Sequence, residues 1–394
     1  MRRITAGWLA GPALAAVLDV LEGGGHGAWL VGGCVRNAML GLDPGDIDIA
    51  TDARPERVMD LARAVGLKAV PTGMEHGTLT LVADGTGFEV TTLRRDVETD
   101  GRRAVVAFTD DIAEDAARRD FTMNALYARR DGTVLDPLGR GLDDLAARLV
   151  RFVGDPQRRI REDYLRILRF FRFHAWYGDP ARGLDPAGLA AVRALAAGVD
   201  GLSRERLGHE MRRLLAAPDP VASTNAMDGA GVLGHVLPGA GAAPLARLIA
   251  LETGADAPPG AIRRLAALDG GDAGERLRLS RAEARRLAAI DRAAEGAEEP
   301  GALGYRLGAG LGRDALLVRA ARRGAALPQG WQAALARGAT AEFPVTARDL
   351  MPACTGPALG RRLRELETRW IASGFRLTRE ELLADRRDGG NALG

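Results

Sequence analysis

Residues 29–50 read WLVGGCVRNAMLGLDPGDIDIA, a stretch that sets a phosphate-sized gap a short distance from a pair of carboxylates. Trp29 to Val31 reads as a short buried strand. Gly32 and Gly33 then let the backbone turn and approach a ligand with no side chain between. A helix is predicted over Cys34 to Leu40; its N-terminal amides favour an anion such as a triphosphate, and Arg36 supplies a charge-assisted donor nearby. Asp43-Pro44-Gly45 is a turn, after which Asp46-Ile47-Asp48-Ile49 alternates with period two, predicting a strand with both carboxylates on one face. Two like charges side by side repel unless a cation sits between them or water screens them. Such hard oxygen ligands suit Mg²⁺, which takes one or two carboxylates together with substrate phosphate oxygens. A solvated strand end is the competing reading of an isolated Asp-x-Asp, and the glycine pair upstream weighs against it. Neither the dinucleotide fingerprint nor a Walker loop with its Lys is present.

The 394 residues suffice for two or more domains. No apolar run approaches a membrane span, and the first 24 residues, MRRITAGWLAGPALAAVLDVLEGG, read as an amphipathic first helix rather than a cleaved leader. Cys34 and Cys354 match no metal or disulfide pattern, so a reducing cytoplasm is expected, with no zinc site. A net charge of +2 permits nucleic-acid binding through local patches without demanding it. Lys68 is the only lysine; the arginine bias, with the many Ala and Gly, reads as genome composition.

From Trp29 to about Val150 strands and helices alternate. Helices are expected over Pro55 to about Val65, Asp111 to Ala117 and Thr122 to Ala125, and strands over Leu67 to Val70, Gly77 to Ala83, Phe88 to Leu93 and Val105 to Phe108. Beyond Pro156 the pattern is helical almost throughout, broken by Gly/Pro/Ala-rich stretches. The expected class is α+β: a head with a mixed sheet (1–150), a helical neck (151–216), a helical body (217–340) and a helical tail (341–394).

Three further segments carry candidate chemistry. On the predicted strand Phe88 to Arg94, Glu89 faces the same side as Thr91 and Leu93, and is the nearest candidate for a third carboxylate beside the Asp pair; an ion-paired structural Glu is the equal alternative. The polar stretch from Arg94 to Arg103 reads as a loop. Arg118-Arg119-Asp120-Phe121-Thr122-Met123-Asn124-Ala125 opens a helix, with Asp120 as the N-cap in the plain structural reading. In Glu162-Asp163-Tyr164-Leu165-Arg166-Ile167-Leu168-Arg169-Phe170-Phe171-Arg172-Phe173, helical spacing makes Asp163, Arg166 and Arg169 successive neighbours, with Arg172 rotated away. An intrahelical ion-pair ladder is one reading. The other is recognition of a base: adenine and cytosine present an amino donor beside a ring-nitrogen acceptor, whereas uracil and guanine present a carbonyl beside an N–H. A carboxylate next to a guanidinium matches the first pattern, with Asp163 accepting and Arg166 donating. Mispairing would leave buried polar groups unpaired, a loss worth about 10⁴ or more in discrimination.

Together these motifs resemble the class II nucleotidyltransferases, the tRNA CCA-adding enzymes and bacterial poly(A) polymerases. The match runs from about Trp29 to Leu215 and again from about Pro344 to Leu383; between 216 and 340 it extends only to helical character. The resemblance implies that Asp46 and Asp48 hold Mg²⁺ and that Gly32, Gly33 and Arg36 cradle the phosphates. It implies too that Arg119 contacts the phosphates or ribose, that Asp120 and Asn124 hold the sugar, and that Asp163 and Arg166 act as a protein template. Arg169 and Arg172 match positions that approach the nucleotide. Residues 94–103 look like the loop that helps switch from C to A addition, and Leu202 to Leu215 like an element that stabilises the neck, with Ser203 as N-cap. Asn37 departs from the pattern: it stands where the family often has Asp, removing one carboxylate near the triphosphate. His26, His76, His174, His209 and His235 include no His-Asp dyad, so a fused metal phosphohydrolase domain is not expected, and His76 reads as a packed histidine at a strand entry.

The expected activity is therefore template-independent addition of CCA to the 3′ end of tRNA, using CTP and ATP with Mg²⁺ and releasing pyrophosphate. The helical body and tail would bind tRNA by shape and phosphate contacts. The rivals are a poly(A) polymerase, a partial enzyme adding only CC or only A, and, from another class, a non-catalytic RNA-binding protein on the same fold. The sequence does not fix the oligomeric state.

Overall fold

The computed structural model describes residues 2–100 and 103–384. They divide into two compact units, 1–236 and 237–394.

The first unit begins with α1 (Pro12–Gly23), whose Leu14, Val17, Leu18 and Leu21 form a buried stripe at helical spacing. It continues through β1 (Ala28–Val31), α2 (Gly33–Met39), β2 (Asp48–Thr51), α3 (Pro55–Ala64), β3 (Lys68–Gly73), β4 (Thr78–Ala83) and β5 (Thr86–Thr92). After β6 (Arg94–Asp100) and β7 (Arg103–Phe108) come α4 (Ile112–Ala117), β8 (Tyr127–Ala128), β9 (Val134–Leu135) and α5 (Gly141–Ala146). Seven strands form one sheet in the order β3-β4-β5-β2-β1-β8-β9, in which only β2 and β5 run parallel. Alternation makes these strands: along β4 every second residue is buried. The rest of the unit is helical: α6 (Pro156–Glu162), α7 (Leu165–Tyr177), α8 (Pro186–Ala194), α9 (Arg204–Leu215), α10 (Val221–Gly229) and α11 (Val232–Val236). Phe121 and Phe152, 5.0 Å apart, meet Phe173 and Phe170 of α7 at ring-centroid distances of 5.1 and 5.2 Å, so α7 shares one aromatic core with the segments that follow the sheet.

The second unit contains α12 (Ala243–Gly254), α13 (Ala261–Leu268), α14 (Ala273–Arg276), α15 (Arg281–Glu295), α16 (Pro300–Arg323), α17 (Trp331–Ala339), α18 (Ala347–Leu350), α19 (Gly356–Ala372) and α20 (Arg379–Ala384). Glycines let α16 and α17 cross closely: a Cβ on Gly338 would lie 1.9 Å from the Gly301 carbonyl oxygen. Leu350, Leu366, Trp370 and Leu382 form the core of the last three helices.

The α+β class and the helical remainder agree with the sequence reading. Several local expectations do not. Residues 94–103 were expected as a loop and instead pair as the β6–β7 hairpin; Gly101 and Arg102 of that stretch lie outside the described residues. Leu93 lies beyond the end of β5 at Thr92 and is fully buried, whereas Glu89 is exposed. His76 closes a short 3-10 turn before β4 and is exposed, not packed. His26 and His235 each meet an aspartate distant in sequence, Asp52 at 2.8 Å and Asp200 at 3.1 Å, isolated pairs that adjacency along the chain does not reveal.

Candidate active site

The antiparallel register pairs Leu30 with Ile49, so the end of β1, where Gly32 and Gly33 follow, lies beside the start of β2, where Asp48 stands. Gly32 has a φ of +73°, open to glycine and strained for other residues, and initiates α2. A Cβ there would lie 3.2 Å from Arg119 Nη1, and one on Gly33 would lie 3.8 Å from Arg36 Nη2. Two guanidinium groups therefore flank the backbone of the glycine pair.

On the other side of β2 the parallel ladder sets Asp48 opposite Glu89 of β5. Burial pushes the Asp48 carboxyl up, to about 6, with Glu89 and then Asp46 adding repulsion and Arg119 opposing it. Asp46 lies in a bend before β2 and is exposed, correcting the expectation of a single strand carrying both aspartates. The neighbouring carboxylate of Asp48 is Glu89, across the sheet. Among the described residues no three acidic, His or Cys side chains close into a metal cage. A half-buried carboxylate facing a second one across the ladder fits a hard divalent cation that draws its other ligands from phosphate and water.

Arg119 is fixed from behind. Its Nη2 donates to Asp115 Oδ2 at 3.0 Å and its Nε to the Tyr127 hydroxyl at 3.2 Å. Burial works against the Asp115 charge, but Arg119 and Arg118 overcome it and hold the carboxyl down at about 2. Asp120 is not an N-cap: Phe121 precedes the 3-10 turn Thr122–Asn124. Asp120 instead accepts from the Phe121 amide, from Asn124 Nδ2 at 3.0 Å and from Arg169 Nε and Nη2 at 2.8 and 2.5 Å. Its carboxyl also sits at about 2, Arg169 and these donors outweighing burial.

Arg36 is 6% exposed. It donates to Asn37 Oδ1 at 3.1 and 2.8 Å, Asn124 Oδ1 at 2.5 Å and the Tyr177 hydroxyl at 2.8 Å. Asn124 thus joins Arg36 to Asp120, and Asp120 joins both to α7.

The expected helical run of Asp163, Arg166 and Arg169 is broken. α6 ends at Glu162, and Asp163 is extended, at φ −157° and ψ 107°. Asp163 accepts from the Leu165 amide at 3.1 Å and from Arg206 Nη2 of α9 at 2.7 Å. Arg166 pairs with Glu162 at 2.6 Å and donates to the Arg159 carbonyl at 2.8 Å. Arg169 pairs with Asp120, and Arg172 with buried Glu210 at 2.5 Å. The four do not pair with one another along the helix: α9 holds Asp163 through Arg206 and Arg172 through Glu210, α6 holds Arg166 through Glu162, and Asp120 holds Arg169. Ser203 caps α9 as expected.

Sequence reasoning missed Asp115, Tyr127, Tyr177, Arg206 and Glu210. Asp115 had a signal, since it precedes Arg118 and Arg119 by three and four residues on one helical face. Arg206 and Glu210 approach from about forty residues away and leave no local trace.

Residues 28–151 match the family model of the poly A polymerase head domain, and residues 183–243 that of a probable RNA and SrmB-binding site of polymerase A. The chain is 43% identical over 191 residues to the human mitochondrial CCA tRNA nucleotidyltransferase 1, covering 48% of this chain and 44% of that one. It is 42% identical over 209 residues to the CCA-adding enzyme of Lacticaseibacillus paracasei, covering 52% and 50%. The chain thus spans about half the length of the curated relatives it matches. Among solved structures, the Bacillus stearothermophilus CCA-adding enzyme in complex with CTP superposes with a TM-score of 0.71 at 28% identity, over 92% of each chain. The Thermotoga maritima CCA-adding enzyme complexed with tRNA has a TM-score of 0.70 at 18% identity over 98% of each, a likeness of fold.

Proposed function

We propose that the chain, similar over about half its length to CCA-adding enzymes and to the poly A polymerase head, belongs with the tRNA nucleotidyltransferases and bacterial poly(A) polymerases and adds CCA, without a template, to the 3′ end of tRNA from CTP and ATP. The carrying observation is the convergence at one end of the sheet of a bare glycine pair, two guanidinium groups and the Asp48–Glu89 carboxylates. Gly32 and Gly33 give the triphosphate a backbone surface, Arg119 and Arg36 supply positive charge beside it, and Asp120 and Asn124 hold the sugar.

Asp48, with Asp46 and Glu89, would hold Mg²⁺. Bound there, the ion supplies Lewis-acid stabilisation of charge on the α-phosphate and the departing pyrophosphate. Asp163 accepts from the amino group of cytosine or adenine and Arg166 donates to the ring nitrogen; Arg206 holds the Asp163 carboxylate in place. Arg169 and Arg172 steady this helix against Asp120 and Glu210. We assign 1–150 as the head, 151–216 as the neck, 217–340 as the body and 341–394 as the tail, the last two binding tRNA through shape and phosphates. No helix among the described residues is long and apolar enough to cross a membrane; the cytoplasmic location we propose rests instead on the two cysteines, whose positions match no disulfide pattern.

The test gives purified protein Mg²⁺ and tRNA ending at the discriminator base, C or CC, with each NTP singly and with CTP plus ATP, and sequences the 3′ ends. CCA and no further is the expected result. CC alone, or A added only to CC, would mark a partial enzyme, long A tails on diverse RNAs a polymerase, and no addition a binding protein. Asp46→Ala should abolish transfer while sparing tRNA binding, measured by filter retention; retained turnover would remove Asp46 from the metal site. Asp163→Ala should relax base choice, and unchanged rejection of UTP and GTP would defeat the template assignment.

A further inference from the structure

Arg36 presents a charge problem. An arginine stays protonated even when buried, yet the groups holding this guanidinium are neutral: the Asn37 and Asn124 side-chain oxygens and the Tyr177 hydroxyl. The Tyr177 ring lies 3.9 Å from the guanidinium carbon and the Phe173 ring 5.2 Å. A carboxylate at position 37 accepting the same two N–H groups would form an ion pair with Arg36. Asn37 accepts them without a charge, its Nδ2 donating to the Asp43 carbonyl at 2.8 Å. Tyr177 supplies what is missing, a π face and a hydroxyl acceptor together, one turn beyond Phe173 and outside every motif assigned above.

We propose that Tyr177 is a positioning residue for the nucleotide: with Asn37 it clamps Arg36 beside the glycine pair without neutralising it. The inference rests on the transferase reading above. A guanidinium held by neutral groups retains its charge for an incoming anion. The triphosphate is common to CTP and ATP, so loosening the clamp weakens both alike and leaves the choice of base untouched.

The experiment uses the full chain and measures KM and kcat for CTP on tRNA ending at the discriminator base and for ATP on tRNA ending in CC. UTP and GTP rejection and thermal melting are followed alongside. Tyr177→Leu should raise both KM values about tenfold, the loss of one desolvated cation–π contact and its hydrogen bond, with kcat within about twofold. Adding Asn37→Asp to Tyr177→Leu should return both KM values to within about threefold of wild type, because the new carboxylate takes over the guanidinium; the two substitutions are then strongly non-additive. A merely structural Tyr177 would lower the melting temperature without this rescue. Unmoved KM values in Tyr177→Leu, a rise for one nucleotide only, altered base choice, or a folded double variant that is not rescued would each overturn the inference. Should Tyr177→Leu fail to fold, Tyr177→Phe decides: it keeps the ring, and both KM values should rise severalfold from loss of the hydroxyl, whereas no change overturns the clamp. Wild-type protein inactive on tRNA would instead defeat the transferase reading itself.

Discussion

At the scale of single residues, the site is a set of charges held where water alone would not keep them. Asp48 shows the cost most clearly. Its carboxyl is raised to about 6 by burial and by Glu89. The folded state then binds a proton more readily than the unfolded chain, and in metal-free protein this residue makes stability fall as pH rises from about 4 to 6. Asp48→Asn is therefore expected to stabilise the EDTA-treated protein at pH 8, by about 1–3 kcal/mol in urea unfolding, while eliminating nucleotide transfer. Added Mg²⁺ should narrow the gap by stabilising wild type alone. Asp115 and Asp120 behave oppositely. Arginine partners outweigh burial and hold both near 2, so each contributes stability that is present above about pH 4 and is lost as pH falls towards 2, roughly 2 kcal/mol apiece. Urea unfolding at pH 6, 4 and 3 should show that slope, flattened in Asp115→Asn; an unchanged slope would mean that the Arg118–Arg119 cradle does not bias its ionisation.

At the scale of elements, what was legible in the sequence was local. The strand, glycine turn and helix from Ala28 to Met39 follow from adjacent residues, and β4 follows from strict alternation. The break at Asp163 was not legible, because Glu-Asp-Tyr-Leu-Arg contains no Gly or Pro. Distant partners make it: Arg206 captures the Asp163 carboxylate, and the Tyr164 ring lies where a Cβ on Gly198 would sit, 1.9 Å from Tyr164 Cδ1. Of the β6–β7 hairpin the second strand was legible in the run Val105 to Phe108, whereas β6 was not, since Arg-Arg-Asp-Val-Glu-Thr-Asp shows no apolar alternation; the two strands pair in a separate two-stranded sheet. The α7–α9 contact also rests on charges far apart in the chain. Arg172 and Glu210 are 4% and 3% exposed and pair at 2.5 Å. Glu210→Ala should cost about 3–5 kcal/mol by leaving a buried cation unpaired, whereas Arg172→Met combined with Glu210→Leu should cost much less. Comparable losses in both, read by denaturant unfolding, would show that shape rather than charge joins these helices.

At the scale of the whole molecule, the chemistry proposed for nucleotide transfer lies entirely within residues 1–236, and residues 237–394 build their own interior. That interior is held in two ways. Arg263 and Arg264 are buried against Glu252, and Arg263 also reaches Asp314, which is fully buried. Close helix crossing is the other: besides the Gly338–Gly301 approach, a Cβ on Gly304 would meet the Leu335 carbonyl oxygen at 2.1 Å. Backbone atoms of a packed helix cannot yield as a flexible side-chain tip can, so Gly338→Ala must push α17 away from α16, an overpacking cost of about 1–3 kcal/mol or more. Its effect should fall on one unit. Limited proteolysis at rising temperature is expected to cut within 237–394 several degrees earlier than in wild type, with tRNA affinity falling in parallel. CTP binding in Mg²⁺, followed by equilibrium dialysis, should persist at those temperatures, because the glycine pair, its two arginines and the Asp48–Glu89 ladder belong to the other unit. Simultaneous loss of CTP binding and protease resistance would show instead that the two units unfold as one.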